Sequence, residues 1–166
     1  MPVVLREARP DELDLVGDTM VAAYEEFMPP DRPGDWRAYR DEIRDVRRRL
    51  GVATLVVAED AGRILGAVTY YPDASKEPNG GWPPSWAAFR LLAVHPDARG
   101  RGIGRLLTEE CLRRAREAGR AAVGLHTTHL MTVARAMYER MGFVRVPAHD
   151  FFPVPQFRVM AYRLTL

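Results

Sequence analysis

Hydrophobic positions recur along the chain with two different spacings, and the spacing predicts the type of each element. Apolar residues repeat every three to four positions in four segments, which predicts helices over about 10–27, 36–51, 102–118 and 130–142. Short runs rich in β-branched and aromatic residues predict strands at 2–6, 53–58, 64–71, 87–95, 121–127, 143–146 and 157–164. The pattern therefore favours a mixed α/β protein.

Turn residues between these segments refine the expected connections. Glu59-Asp60-Ala61-Gly62 separates two strands and predicts an antiparallel hairpin, while the proline-rich stretch 28–34 interrupts the first two helices. Residues 72–86 contain four prolines, two adjacent glycines and two tryptophans, without either spacing. A loop of that length is expected to be disordered or functional.

Length and composition limit the kinds of protein that this chain can be. A length of 166 residues fits a single domain spanning 1–166, and a formal charge of +2 without a strong basic face argues against nucleic acid as the main partner. Cys111 is the only cysteine, so neither an internal disulfide nor a multi-cysteine metal site is expected. No run of about 18 apolar residues and no signal peptide is seen, so we expect a cytoplasmic protein without a membrane partner.

The most informative segment joins a strand to a helix through a glycine-rich turn. It reads Leu92-Ala93-Val94-His95-Pro96-Asp97-Ala98-Arg99-Gly100-Arg101-Gly102-Ile103-Gly104-Arg105. Free amides at a helix start attract anions, and glycines let the backbone approach a phosphate. A plain strand-to-helix connection is the alternative. The spacing matches neither the ATP-binding nor the dinucleotide-binding glycine pattern.

Arg99-x-x-Gly102-x-Gly104, preceded by Leu92-Ala93-Val94-His95-Pro96, resembles the signature motif of the GNAT superfamily of N-acetyltransferases. A second segment, Ala136-Met137-Tyr138-Glu139-Arg140-Met141-Gly142-Phe143, resembles the next landmark of that family. The resemblance implies a mixed, mostly antiparallel sheet of about seven strands flanked by about four helices. Its strands are expected to splay apart at an acetyl-CoA site, and no metal is expected there. The resemblance also implies that backbone groups of Leu92, Ala93 and Val94 face the acetyl-pantetheine arm. The pyrophosphate would be held by Arg99, Gly100, Arg101, Gly102, Ile103, Gly104 and Arg105.

Amide formation from a thioester needs a proton donor for the leaving thiolate and a proton acceptor for the amine. Tyr138 matches the tyrosine that protonates the coenzyme sulfur in many relatives, although it could instead be a core aromatic. His126 is the candidate base, with a structural histidine as the alternative. Weaker candidates for the base are His129, Glu25, Glu26, Asp150 and a chain of water molecules.

Two positions depart from the family pattern. Ala87-Ala88-Phe89-Arg90 lacks the glutamate that many relatives place on this strand, and Met131 stands where relatives often carry an asparagine. Methionine cannot donate a hydrogen bond to the pantetheine arm. These departures keep open a second hypothesis, a catalytically degenerate acyl-CoA sensor or interaction module.

The resemblance implies a primary amine on a small molecule or peptide as acceptor, and a homodimer is a further expectation. Aromatic residues of the first two helices fit a core better than an acceptor pocket. Trp82 and Trp86 lie in the irregular segment, which has little regular structure to pack against, so a lid over the acceptor is the hypothesis there. The arginines of 44–49 either dock an acidic protein or form a solvated face, and the second is preferred. The pocket candidates are Tyr24, Phe27, Met28, Trp36, Tyr39, Phe151 and Phe152.

Overall fold

The computed structural model describes residues 2–27 and 33–166, and within them it forms an eight-stranded, mostly antiparallel sheet with four α-helices. This confirms the mixed α/β class predicted from the sequence. The helices are α1 Leu13–Tyr24, α2 Pro33–Arg44, α3 Ile103–Glu117 and α4 Thr132–Arg140. The strands are β1 Val4–Glu7, β2 Thr54–Asp60, β3 Arg63–Tyr71, β4 Ala87–Val94, β5 Ala122–Thr127, β6 Val144–Arg145, β7 Phe151–Val154 and β8 Phe157–Thr165.

Helix α2 differs from its prediction at both ends. It begins at Pro33, inside the stretch expected to break the chain, because proline suits the first turn of a helix; residues 28–32 of that stretch lie outside the described chain. It ends at Arg44 instead of continuing to residue 51. A 3-10 turn, Val46–Arg49, follows it, and the buried Arg49 guanidinium donates to the carbonyl oxygens of Glu42 (2.8 Å) and Ile43 (3.0 Å) at the end of the helix.

Strand β7 was not predicted. It contains Pro153, which cannot donate a ladder hydrogen bond and so argues against a strand in the sequence. In the structure β7 pairs with β8 through Phe151–Val159 and Val154–Phe157, with an irregular register between these two pairs. The irregularity accommodates the proline.

The chain divides into two compact units. The first unit consists of Met1–Thr69 and Leu91–Glu110. Its strand order is β1-β2-β3-β4, and β1 pairs antiparallel with β2. Ala61 and Gly62, with φ of 50° and 81°, form the two-residue turn that joins β2 to β3, as expected for an antiparallel hairpin. The core of this unit includes Val16, Met20, Ile43, Val57 and Ala67.

Gly66 allows β4 and the start of α3 to approach β3 closely. A Cβ at this position would lie 2.6 Å from the Ala93 carbonyl oxygen and 3.0 Å from Ile103 Cγ2. Gly66 thereby holds together the two ends of the strand–turn–helix segment that the sequence singled out.

Gly66→Ala is expected to lower the free energy of unfolding by about 1–3 kcal/mol, because the new methyl group must displace backbone as well as a side chain. Gly51→Ala is the control, since nothing lies within 4 Å of a Cβ there. Urea titration of both variants measures the difference. A Gly66→Ala protein within about 0.5 kcal/mol of the wild type would contradict the close approach.

The second unit consists of Tyr70–Arg90 and Cys111–Leu166. Strand β5 pairs antiparallel with β8 along its whole length, from Ala122–Thr165 to Thr127–Met160, and β6 and β7 also pair with β8. Cys111 is buried and, as the single cysteine of the sequence, forms no internal disulfide. Gly142 has a φ of 98°, which places the predicted glycine just beyond the end of α4.

Candidate functional site

Strand β4 changes conformation in its second half. Its parallel register with β5 comprises Ala87–Val123 and Ala88–Gly124, at the start of the strand. Leu91 then adopts a φ of 57°, which costs a leucine roughly 1–2 kcal/mol. The Leu91 side chain is 4% exposed and belongs to the core of the first unit, so packing holds it in this conformation. The result is a strand that leaves the regular β conformation three residues before Val94.

Backbone groups beyond Leu91 point alternately to the two edges of β4. The His95 N–H donates to the Leu65 carbonyl oxygen at 2.8 Å, and the Ala93 carbonyl lies against Gly66, so residues 93 and 95 face β3. Leu92 and Val94 therefore direct their backbone groups to the edge opposite β3. Leu92, Ala93 and Val94 were predicted to face the pantetheine arm. The backbone groups of Leu92 and Val94 are directed to the open edge of β4, whereas the Ala93 carbonyl is directed toward β3.

The glycine turn leads directly into the start of α3. Gly100 and Gly102 have φ of 80° and 75°, which glycine adopts readily, and a Cβ at either position would meet nothing within 4 Å. Helix α3 follows at once, with Leu106 N–H donating to the Gly102 carbonyl oxygen. The amides of Ile103, Gly104 and Arg105 lie in the first turn of α3, where N–H groups lack helical partners. They can therefore donate to an anion.

The three arginine side chains of the turn are already paired with carboxylates. Arg101 and Arg105 contact Asp60 and Glu109, each at 2.8 Å. Arg99 pairs with Glu26 and also donates to the Ala23 carbonyl oxygen at 3.3 Å. Because these cations are offset locally, the backbone amides are the groups left to attract a phosphate. Glu26, a weak candidate base, is engaged in this pairing.

Tyr138 lies on α4 with 4% of its surface exposed. Its ring packs against Phe89 and Phe143, with centroid distances of 6.0 and 5.7 Å, so the ring is a core aromatic. Burial raises the pKa of Tyr138 far above its ordinary value, so the hydroxyl keeps its proton at neutral pH.

His126 lies on β5 and is surrounded by protein groups. Its Nε2 is 2.9 Å from the His149 carbonyl oxygen, and its Nδ1 is 4.0 Å from Glu77 Oε2. Burial lowers the pKa of His126, and the His149 carbonyl and the Glu77 carboxylate act in the opposite direction. The imidazole is thus poised to be neutral at rest. Sequence reasoning missed Glu77, because it lies between Lys76 and Pro78 in a segment without periodicity.

The other candidate bases differ in how they are held. Asp150 accepts two hydrogen bonds from Arg145, both at 2.7 Å, and a third from the Ala161 N–H. The Arg145 guanidinium lowers the pKa of Asp150, so this carboxylate stays ionised and occupied. His129 and Glu25 are exposed, and the His129 ring lies 5.6 Å from Phe157.

Met131 lies at the start of α4, half-buried. Its sulfur accepts a hydrogen bond from the Thr127 hydroxyl at 3.7 Å. Where relatives often carry an amide that can donate a hydrogen bond, Met131 thus has only a sulfur acceptor, and that sulfur is occupied by the Thr127 hydroxyl.

Trp82 is packed firmly, so the expectation that residues 72–86 have little to pack against is wrong. It is 3% exposed, donates from Nε1 to Glu77 Oε2 at 3.0 Å, and stacks on His149 at 4.6 Å. Its ring fills the space above Gly124 in β5, since a Cβ there would lie 3.0 Å from ring atoms. Trp82 anchors this segment to the second unit.

Trp82→Ala is expected to cost about 3–5 kcal/mol of stability, because it removes a buried aromatic ring and the hydrogen-bond donor to Glu77 Oε2. For a chain of this size that corresponds to a melting temperature lower by roughly 10 °C. Trp86→Ala, in the same segment but at a half-buried position, should cost clearly less. Calorimetry on both variants provides the comparison, and equal melting temperatures would show that Trp82 is not the anchor.

Among residues 2–27 and 33–166, no three histidine, cysteine, aspartate or glutamate side chains are grouped so that they could hold a metal ion. In the same residues, no helix combines the length and the apolar character needed to cross a bilayer.

Solved structures define the class of fold. The chain aligns over its whole length with a GCN5-related N-acetyltransferase from Rhodopseudomonas palustris, covering 97% of that chain with a TM-score of 0.75 at 16% identity. It also aligns over 99% of its length with a GNAT family acetyltransferase from Brucella melitensis in complex with acetyl-CoA. That match covers 91% of the Brucella chain, with a TM-score of 0.63 at 23% identity. The fold is therefore that of the N-acetyltransferases.

Sequence similarity gives the family. Residues 18–143 match the Acetyltransferase (GNAT) family, and the chain belongs to it. The resemblance inferred from the glycine turn is thereby confirmed. A mycothiol acetyltransferase of Geodermatophilus obscurus is 32% identical over 121 residues, which are 72% of this chain and 38% of that protein. This chain thus spans little more than a third of that relative.

Proposed function

We propose that this chain is an acetyl-CoA-dependent N-acetyltransferase that transfers the acetyl group directly, within a ternary complex, to a primary amine of a small molecule or peptide. The observation that carries the proposal is the conformation of β4 and the turn after it. Leu91 turns the strand, Leu92 and Val94 offer backbone groups at the edge opposite β3, and the turn presents the free amides of α3. Family membership supports the same conclusion.

The residues of the turn fit acetyl-CoA as cosubstrate. Gly100 and Gly102 leave space where a Cβ would stand, and the first turn of α3 supplies amide donors for a pyrophosphate. Leu92 and Val94 would bind the pantetheine arm through their backbone, with Ala93 holding the strand against Gly66. The side chains of Arg99, Arg101 and Arg105 would act mainly by shaping the turn, since each is paired with a carboxylate.

When bound, the coenzyme supplies an acetyl group activated as a thioester. Tyr138 has the properties of the proton donor, because burial raises the pKa of its hydroxyl and keeps it protonated. His126 has those of the proton acceptor, because burial keeps its imidazole neutral. Together they would move one proton to the leaving sulfur and take one from the amine.

Calorimetric titration with acetyl-CoA, followed by a thiol-release assay over a panel of amines, tests the proposal. The panel contains glycinamide, spermidine, a peptide with a free amino terminus and, because a relative is named mycothiol acetyltransferase, an amine precursor of mycothiol. We expect binding together with amine-dependent thiol release. Binding without release for any amine would favour the acyl-CoA sensor, a hypothesis that Met131 and the missing glutamate keep open. Absence of binding would overturn both.

A further inference from the structure

A buried carboxylate in the second unit lies beside the candidate base. Glu77 accepts hydrogen bonds from Trp82 Nε1 at 3.0 Å and from the Asn79 N–H at 3.1 Å, one on each carboxylate oxygen. Its side chain is 2% exposed, whereas that of His126 is 11% exposed. A group that exchanges protons with a substrate must be reachable, so a proton can enter this pair through His126 and not through Glu77.

The hydrogen bonds of His126 determine which of its nitrogens is basic. A carbonyl oxygen only accepts, so Nε2, at 2.9 Å from the His149 carbonyl, carries the hydrogen. In the neutral ring the lone pair is therefore on Nδ1, the nitrogen that faces Glu77 Oε2 at 4.0 Å. Protonation of Nδ1 would create a buried imidazolium directly beside a carboxylate.

His149 and Trp82 hold this arrangement in place. The His149 Nδ1 lies 2.8 Å from the Gly80 carbonyl oxygen, and its ring stacks on Trp82. The His126 ring is 4.9 Å from Trp82 and meets the edge of Phe151 at the same distance. The ring of His126 is thus fixed in orientation from both sides, which keeps Nδ1 toward Glu77.

We propose that Glu77 is a positioning residue that acts through His126: its carboxylate compensates the charge that His126 acquires when Nδ1 takes the proton of the acceptor amine. This inference rests on the proposed function and adds a residue that neither the family motifs nor the sequence pattern indicates. Glu77 itself does not touch the reacting atoms.

The transfer step balances with these groups. The lone pair of the neutral amine forms the C–N bond as the C–S bond breaks. The proton lost from nitrogen goes to His126 Nδ1, and the sulfur receives the proton of the Tyr138 hydroxyl. His126 then releases its proton to solvent and Tyr138 recovers one from solvent, so the enzyme returns to its starting state.

Several charged groups around His126 decide the sign of the expected pH effect. Glu77, from the segment 72–86, and Asp150, beside β7, both raise the pKa of His126, while Arg90 of β4 lowers it. The neutral ring is the active form of a base, so activity should fall as the pH drops through the pKa of His126. Removing the Glu77 charge lowers that pKa, and the acid limb of the pH profile must then move to lower pH.

Glu77→Gln keeps a carbonyl oxygen that can accept from Trp82, and it removes the charge. We expect the acid limb of kcat/KM to move down by about one pH unit and the rate at the plateau to fall several-fold, because the base is weaker. Acetyl-CoA affinity should not change. Asp73→Asn is the matched control, because Asp73 is a carboxylate of the same segment whose partner is Ser75. It should leave the acid limb in place, and a Glu77→Gln profile identical to that of the wild type would overturn the proposal.

An NMR titration of the His126 ring in the coenzyme-free protein separates this inference from the proposed function. A His126 pKa that falls in Glu77→Gln and stays constant in Asp73→Asn is the expected result. If the wild-type chain releases no thiol with any amine while this pKa still falls, the acetyltransferase proposal and the role in transfer fail, and only the His126–Glu77 coupling stands. An unchanged pKa in Glu77→Gln overturns the coupling itself.

Discussion

Replacing Gly102 with valine should weaken acetyl-CoA binding at least about 100-fold, equivalent to about 3 kcal/mol. Gly102 has a φ of 75°, so a β-branched residue would force the turn out of its conformation. The amides of Ile103 and Gly104 would then lose their common direction. The arginine side chains of the turn can attract the phosphates only in competition with their carboxylate partners, so they replace the lost amides incompletely. Isothermal titration calorimetry with acetyl-CoA measures the change.

Gly119→Val is the matched control for this experiment. Gly119 follows α3, has a φ of 69° and, like Gly102, has nothing within 4 Å of a Cβ position. Both variants therefore carry a similar backbone penalty, and their melting temperatures should fall by similar amounts. Only Gly102→Val should lose the coenzyme. Normal affinity in that variant would overturn the assignment of the turn, and so would equal losses in both.

Tyr138→Phe should lower kcat by about 100- to 1,000-fold at unchanged acetyl-CoA affinity. The phenyl ring can keep its packing against Phe89 and Phe143. The expected defect is therefore confined to the protonation of the leaving sulfur. Steady-state kinetics with an amine found active in the panel, together with calorimetry, separates the two quantities.

Tyr70→Phe controls for the loss of a buried hydroxyl. Tyr70 is 3% exposed, its hydroxyl has no partner within the described chain, and burial raises its pKa to about 12. Removing this hydroxyl should leave kcat unchanged. A Tyr138→Phe enzyme with wild-type kcat would show that sulfur leaves without help from this residue.

The strand–turn–helix segment was predictable because its conformation is determined locally. Glycines at positions 100 and 102 permit positive φ, and the apolar positions of α3 follow at helical spacing, so residues close in sequence dictate the turn. The mixed α/β class was predictable for the same reason. The coenzyme itself was predicted only from the resemblance of this segment to the family motif.

Features that depend on contacts between distant residues were not predictable. The end of α2 is set by the buried guanidinium of Arg49, and an exposed arginine would look the same in the sequence. Trp82 appeared free to move because its partners, Gly124 and His149, belong to other segments. The positive φ of Leu91 likewise could not be predicted, because a leucine in an apolar run gives no sign of it. Packing of the first unit imposes this conformation.

Arg99 joins the glycine turn to the residues on either side of the end of α1, through the Ala23 carbonyl and the Glu26 carboxylate. Thermodynamic linkage then gives this contact a reciprocal consequence. A coenzyme that draws Arg99 away must loosen the end of α1, and a ligand that holds the end of α1 in place must weaken the coenzyme by the same factor. For an exposed ion pair worth up to about 1 kcal/mol, that factor is at most about fivefold. Binding of a ligand at the end of α1 would thus change the affinity of the glycine turn for the coenzyme by a small factor, and the reverse would also hold.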